Sequence, residues 1–388
     1  MTTHLAAVAV AKGKPFELQP RPTPKPGPGE LLIAVKSVAL NPADGIMRAH
    51  GLFIPTYPAV IGFDISGLVL DVGEDVPMVG GATHDDEGPA FVPGVTRVAA
   101  YAASVWKSCD PDYGAFQERC LVPWQHAVPL PNESISWNQA ASLSVAVQVP
   151  LSAWDAMGIP RMGEITASGD ESNTGSATRQ DEKHKSNALL IWGASSSVGT
   201  MGVQTARLLR EDRGSSFATV YATAGAVNRE YVRSLGADRV FDYKDPNVVE
   251  AIVAAAREDG VVIGHCFLAV GQLSQCQDVL KAFLGDGHGS KEGQEKVKIA
   301  SAPPIPAEAE EVDGVGTIFV QPSMNDEGER LAQFRYWMGT WLRESLVENT
   351  IKPSPEVKVV GKDLGAINAG LDELLQGVSC AKLVVEVA

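Results

Sequence analysis

The segment Gly193-Ala-Ser-Ser-Ser-Val-Gly199 has the residue types and spacing to hold a phosphate. An apolar run, Ala188-Leu-Leu-Ile-Trp192, ends at Gly193, and helical spacing of apolar residues begins at Val198. A strand, a tight turn and a helix in that order leave the first backbone N–H groups of the helix without internal partners. Small side chains in front of them let a pyrophosphate approach. Gly193 and Gly199 permit the close approach, while Ser195, Ser196 and Ser197 add hydroxyl donors. Ser195 stands where the usual dinucleotide fingerprint has its second glycine.

The segments that must position this turn alternate in type. Thr219–Thr223 reads as a buried strand, Asn228–Leu235 as a helix, Arg239–Tyr243 as a third strand, and Pro246–Arg257 as a helix before the apolar run Val261–Val270. Parallel strands need crossovers, so alternation of this kind predicts a parallel, doubly wound sheet with its ligand at the carboxyl ends of the strands. Domains of this kind that prefer NAD carry Asp or Glu at the end of the second strand to bind the ribose 2′-hydroxyl. Here Tyr221–Asn228 has no acid before Glu230, which favours NADPH over NADH. Thr223, Arg229, Arg233 and Tyr243 are candidates for the 2′-phosphate; the alternative for Arg229 and Arg233 is a solvated helix face.

The chain before about residue 150 is strand-like and punctuated by Gly and Pro, as in 30–40 and 59–72, and predicts a β-rich domain. The expected division is a first domain over 1–150, completed by about 346–388 as extra strands and a helix. A nucleotide-binding domain spans 151–345, with a flexible polar loop at about 162–187. A second polar insertion, Gly80–Pro89, is acidic. The net charge of −15 argues against nucleic acid and anionic membrane as partners, and no segment has the length of a membrane span. Five scattered cysteines and a start without a basic, apolar leader predict a reduced, cytoplasmic protein.

The order of several further motifs resembles the medium-chain dehydrogenase/reductase superfamily, in its zinc-independent, quinone-oxidoreductase-like branch. These are Val38-Ala-Leu-Asn-Pro-Ala-Asp44, Pro58–Gly67, Val72-Gly73, Gly114–Glu118, Gln204-Thr-Ala206 and Leu235-Gly-Ala-Asp238 followed by Asp242-Tyr243. Within that branch the chain is similar to stand-alone enoyl reductases of fungal polyketide pathways. The resemblance implies an α/β fold, with a GroES-like β-rich domain beside a Rossmann domain. It implies an NADPH-dependent oxidoreductase acting on a small-molecule enone, enoyl thioester or quinone, with a polyketide synthase as a possible partner and a monomeric or homodimeric state. It places Ser196, Ser197 and Val198 at the pyrophosphate, Thr223, Asn228, Arg229 and Tyr243 at the adenosine end, and Leu268 and Val270 at the nicotinamide-side ribose.

No metal is expected. Zinc-dependent relatives have a Cys in the region of Leu40-Asn41 and Gly-His-Glu where this chain has Gly62-Phe63-Asp64; His50, His84, His126 and His184 are isolated. Reduction of a carbon–carbon double bond conjugated to a carbonyl needs no metal: hydride reaches the β-carbon, a donor steadies the enolate oxygen, and the α-carbon takes a proton. Asn41, Asp44 and Tyr57 are the candidate catalytic residues. For each a structural role stands beside the catalytic one: Asn41-Pro42 sets a turn, Asp44 caps a helix, and Tyr57 is a turn or buried tyrosine. Ile46 and Val149 replace a lysine and a threonine common in the family, which leaves the pocket more apolar. The alternatives are a quinone oxidoreductase, or an NADPH-binding fold turned to a non-redox or structural role.

Overall fold

The computed structural model describes residues 2–78, 88–162, 185–285 and 297–387. Most of the acidic insertion, the polar loop between 163 and 184, and His84 and His184 lie outside the described residues. The chain forms two compact units, Met1–Gln148 with Pro322–Ala388, and Val149–Gln321.

The first unit is β-rich. A hairpin of β1 (Thr3–Val8) and β2 (Glu17–Pro22) is tied down where the Ala7 N–H donates to the Phe116 carbonyl at 2.8 Å. The main sheet is built from β3 (Glu30–Ala39), β4 (Asp64–Val72), β5 (Arg97–Tyr101), β6 (Arg119–Pro123) and β7 (Ala127–Pro129), with β6 pairing β3 off the main path. Most residues of β3 and β5 are buried, so their near-continuous apolar runs are what a strand covered on both faces requires.

The second unit holds β8 (Asn187–Trp192), β9 (Phe217–Thr223), β10 (Arg239–Phe241), β11 (Val262–Leu268), β12 (Val297–Ser301) and β13 (Val315–Phe319). All pairings are parallel and the order is β10-β9-β8-β11-β12-β13. Numbered within the sheet this is 3-2-1-4-5-6, the doubly wound order whose strand direction of travel reverses beside β8 and opens a crevice at the carboxyl ends. The fold is thus α/β, as the alternating sequence pattern predicts.

The chain then returns to the first unit. β14 (Glu356–Gly361) and β15 (Ala381–Glu386) pair in parallel around the helix Ile367–Gln376, and β15 runs antiparallel to β3. Residues 322–345, expected with the nucleotide-binding segment, also group with the first unit. The physical reason is aromatic packing: Phe334, at the end of helix Glu327–Phe334, stacks on His126 at 3.8 Å and meets Tyr101, Trp106 and Trp337 edge-on. No helix among the described residues is long and apolar enough to cross a membrane.

Candidate functional site

The turn after β8 is held by its own hydroxyls. Gly193 has φ 78°, and its N–H donates to Thr223 Oγ1 at 2.9 Å, while the Ala194 N–H donates to the Thr223 carbonyl at 2.8 Å. Ser196 caps the helix Ser197–Glu211: its Oγ accepts from the Gly199 N–H at 3.1 Å and its hydroxyl donates to the Gly193 carbonyl at 2.8 Å. The Ser196 hydroxyl is thereby committed to the turn as both donor and acceptor, while Thr223 Oγ1 accepts from Gly193 and keeps its O–H donor. Ser197 Oγ is buried with no protein partner. It stands at the first helical position, where it and Val198 have backbone N–H groups that no intrahelical carbonyl can reach.

The cradle also depends on missing side chains. A Cβ at Gly193 would collide with the Val270 carbonyl oxygen, and one at Gly199 with the Gly193 carbonyl oxygen. Orphaned donors, an open cradle and a helix N-terminus fit a pyrophosphate.

At the end of β9 no carboxylate is present before Glu230. Gly225 instead lies against the Tyr243 ring, whose Cε1 and hydroxyl would be 3.7 and 3.8 Å from a Cβ placed there. Lys244 Nζ stands 5.8 Å from the centre of that ring, a cation that sequence reasoning missed. Arg229 keeps a buried Nε with no partner, whereas Arg233 is an exposed-face residue paired with Glu230. Asn228 immediately precedes the helix Arg229–Ser234 and is half-buried. Leu268 is buried within the apolar core of the sheet, so its side chain is not available to a ligand. Val270 is 51 % exposed beside the turn.

In the first unit, Asn41 and Asp44 belong to a buried polar cluster. Asn41 occupies the N-cap of the helix Pro42–His50, and its N–H donates to Asp44 Oδ2 at 2.7 Å while the Asp44 N–H donates to the Asn41 carbonyl at 3.0 Å. Asn41 Nδ2 donates to the Ala39 carbonyl at 3.3 Å and to Asp64 Oδ2 at 3.1 Å. Lys382 Nζ donates to Asn41 Oδ1 at 2.6 Å and to Asp64 Oδ2 at 3.1 Å, and the Val145 N–H donates to Asp64 Oδ1 at 2.8 Å. Asp44 Oδ1 is buried without a partner. Burial, with a smaller push from Asp64, raises the Asp44 carboxyl to about 7 against the opposing pull of its Asn41 bond and of Lys382. Asp44 thus caps the helix, and the Asn41 side chain is held by Lys382, Asp64 and the Ala39 carbonyl.

Tyr57 is not part of this cluster. Its hydroxyl, buried and without a partner, lies 2.9 Å from where a Cβ on Gly51 would stand. Gly51 closes the opposite end of the Pro42–His50 helix, about 10 Å along the axis from Asp44.

Residues 27–132 match the alcohol dehydrogenase GroES-like domain. The trans-enoyl reductase tndF of Aspergillus flavipes is 37% identical over 388 residues, covering 98% of both chains. The trans-enoyl reductase tazE of Aspergillus terreus is 38% identical over 326 residues, 83% of this chain and 93% of its own. The chain belongs to the trans-enoyl reductase branch of the medium-chain dehydrogenase/reductase superfamily. Solved structures agree on the fold. An alcohol dehydrogenase superfamily protein from Novosphingobium aromaticivorans has a TM-score of 0.71 at 19% identity, covering 99% of this chain and 100% of its own. The CurK enoyl reductase has a TM-score of 0.67 at 15% identity, covering all of both chains.

As a member of this family the reductase is an oxidoreductase that uses a nicotinamide cofactor and acts on a small molecule. Beyond Lys244, sequence reasoning missed two members of the polar cluster, Asp64 and Lys382. Asp64 was visible only as a departure from Gly-His-Glu, and Lys382 only as a charge before the apolar run Leu383–Val385 of the final strand. That charge was the signal, because a buried lysine demands a partner.

Proposed function

We propose that this reductase uses NADPH to reduce a carbon–carbon double bond conjugated to a carbonyl, in an enone or enoyl thioester, without zinc, and that it serves secondary metabolism beside a polyketide synthase. The observation that carries the reading is the match over nearly the whole chain to two proteins named trans-enoyl reductases. The choice of NADPH rests on the acid-free end of β9, where Gly225 lies against the Tyr243 ring with Lys244 beside that ring, and on Arg229, whose buried Nε has no partner. Among the described residues no three His, Cys, Asp or Glu side chains come together. Asp64 is further committed to Lys382, Asn41 and Val145, so the donor set suits no catalytic zinc.

When bound, NADPH supplies a hydride to the β-carbon of the substrate. The chain's own residues bind and orient. Ser197 and the first N–H groups of its helix hold the pyrophosphate, with Arg229, Tyr243 and Lys244 at the 2′-phosphate. Asn41 and Asp44 fix the turn that the family places beside the reacting atoms. Both carboxamide hydrogens of Asn41 are committed internally, so it acts by position. The Tyr57 hydroxyl, without a protein partner, lies at the far end of the helix from that turn, so none of the three candidates is assigned as donor to the developing enolate oxygen.

The test is a pair of fluorescence titrations with NADPH and NADH, followed by oxidation of NADPH in the presence of an N-acetylcysteamine enoyl thioester, a simple enone and a quinone. Tighter NADPH binding with turnover of the thioester or enone is expected. Equal binding of both dinucleotides overturns the cofactor choice. Turnover of the quinone alone moves the acceptor to the quinone class, and tight binding without any turnover points to a non-redox role.

A further inference from the structure

The cluster around Asn41 is a closed ring. Lys382 donates to Asn41 Oδ1 and to Asp64 Oδ2, and Asn41 Nδ2 donates to the same Asp64 oxygen. All three side chains are almost wholly buried, with Lys382 only 4% exposed. The ring has a direction. Turning the Asn41 amide over would set its NH2 against an ammonium and its oxygen against a carboxylate, so the lysine dictates one amide orientation. A buried ion pair is weakly stabilising at best, and apolar side chains of the same volume would serve stability as well. Orientation is what such a ring supplies. It joins the end of β3, the start of β4, the final strand β15 and the first turn of helix Ser144–Met157, through the Val145 N–H, at one carboxylate.

We propose, on the reading that this chain is an NADPH-dependent reductase, that Lys382 is a positioning residue for the reaction: its ammonium locks the Asn41 carboxamide against Asp64 and so fixes the turn from Asn41 to Asp44. Asp44 reports on the ring. The groups that face it are Asn41, Lys382 from β15, Asp64 from β4 and the neutral Tyr101 from β5, whose hydroxyl feels both carboxylates. Arg48, on the same helix, is turned away toward Asn368 and Asp372, and the packed helix Ile367–Gln376 presents Leu375 to Gly45.

The experiment follows the Asp44 carboxyl by 13C NMR and the steady-state kinetics in Lys382→Met, Lys382→Arg and Asp64→Asn. With Lys382→Met, kcat is expected to fall about tenfold or more, NADPH affinity to stay within about twofold, and Asp44 to titrate about one pH unit higher. Lys382→Arg restores most of kcat. Asp64→Asn leaves the ammonium unopposed, so Asp44 titrates lower, whereas general loosening of the fold would lower Asp44 in both variants because water relieves the burial that raises it. If Lys382→Met leaves both kcat and the Asp44 titration unmoved, or if the two variants shift Asp44 in the same direction, the role of Lys382 is overturned. A kcat loss that follows lowered thermal stability and is not rescued by arginine overturns it as well. A wild-type protein that reduces neither enone nor thioester overturns the reductase reading and the positioning role with it. That outcome is told apart from a failure of Lys382 alone because the wild type is silent too.

Discussion

The turn after β8 and the polar ring solve the same problem, holding a short stretch of chain in one shape, in opposite ways. The turn uses consecutive residues, backbone N–H groups and two hydroxyls folded back on the chain, and it carries no formal charge. The ring uses charged side chains drawn from distant segments, with Lys382 and Asn41 341 residues apart. A site made of backbone tolerates change in most of its side chains but none in its shape. A site made of buried charges tolerates small changes of shape but none in its charge balance.

That contrast predicts the largest effect at Gly193. Gly193→Ala places a Cβ against the Val270 carbonyl at a positive φ that side chains resist. NADPH and NADH binding should both be lost in titration, with a lowered melting temperature. Retained binding of either dinucleotide would mean that the turn is not the pyrophosphate cradle.

The next effect is smaller and selective. Replacing Arg229 by Ala together with Tyr243 by Phe removes a guanidinium and a hydroxyl from the acid-free end of β9. NADPH affinity is expected to fall about tenfold or more while NADH affinity stays nearly constant, as loss of charge-assisted bonds to a phosphate requires. Equal loss for both dinucleotides would place the two residues elsewhere on the cofactor. Lys244→Ala should add to the same selective loss.

The two sites were legible in the sequence to different degrees for the same physical reason. The turn is local: Ala188–Trp192, Gly193 and the helix after Ser196 are contiguous, so apolar spacing and small residues were enough to place them. Even there, the sequence showed Thr223 as a hydroxyl at a strand end but not the Gly193 N–H that takes it up. The ring is non-local. Asp64 and Lys382 become partners only once β15 lies against β3, and no periodicity announces that pairing. The same holds for 322–345: the rings of the first unit against which Phe334 settles are far away in sequence, and nothing local announces that contact.

The subtlest consequence of the comparison lies within the first unit, where the charged ring has an uncharged counterpart. His126 is fully buried between Tyr101, Trp106 and Phe334, with its Nδ1 3.2 Å from the Tyr101 carbonyl. Burial drives its pKa from the ordinary 6.5 down to about 3. As pH falls from 6.5 toward 3 the unfolded chain takes up a proton that the folded state refuses, so this group costs stability toward acid. Asp44 works in the other direction. Its carboxyl rises from 3.8 to about 7, so the folded state keeps a proton that the unfolded chain releases, and stability is lost as pH rises through that interval. Between 3.8 and 6.5 the two slopes oppose each other. Their joint contribution in the native protein should therefore be nearly flat, and each variant should expose the other group. Denaturant unfolding at a series of pH values checks this as a difference from wild type. Asp44→Asn should leave a protein whose stability relative to wild type climbs with pH across this window, because the Asp44 slope has been removed. His126→Phe should leave one whose relative stability declines, because the His126 slope has been removed. An Asp44→Asn curve parallel to the wild type would mean that Asp44 ionises at its ordinary pH, and the ring would then hold its charges in a wetter place than its burial indicates.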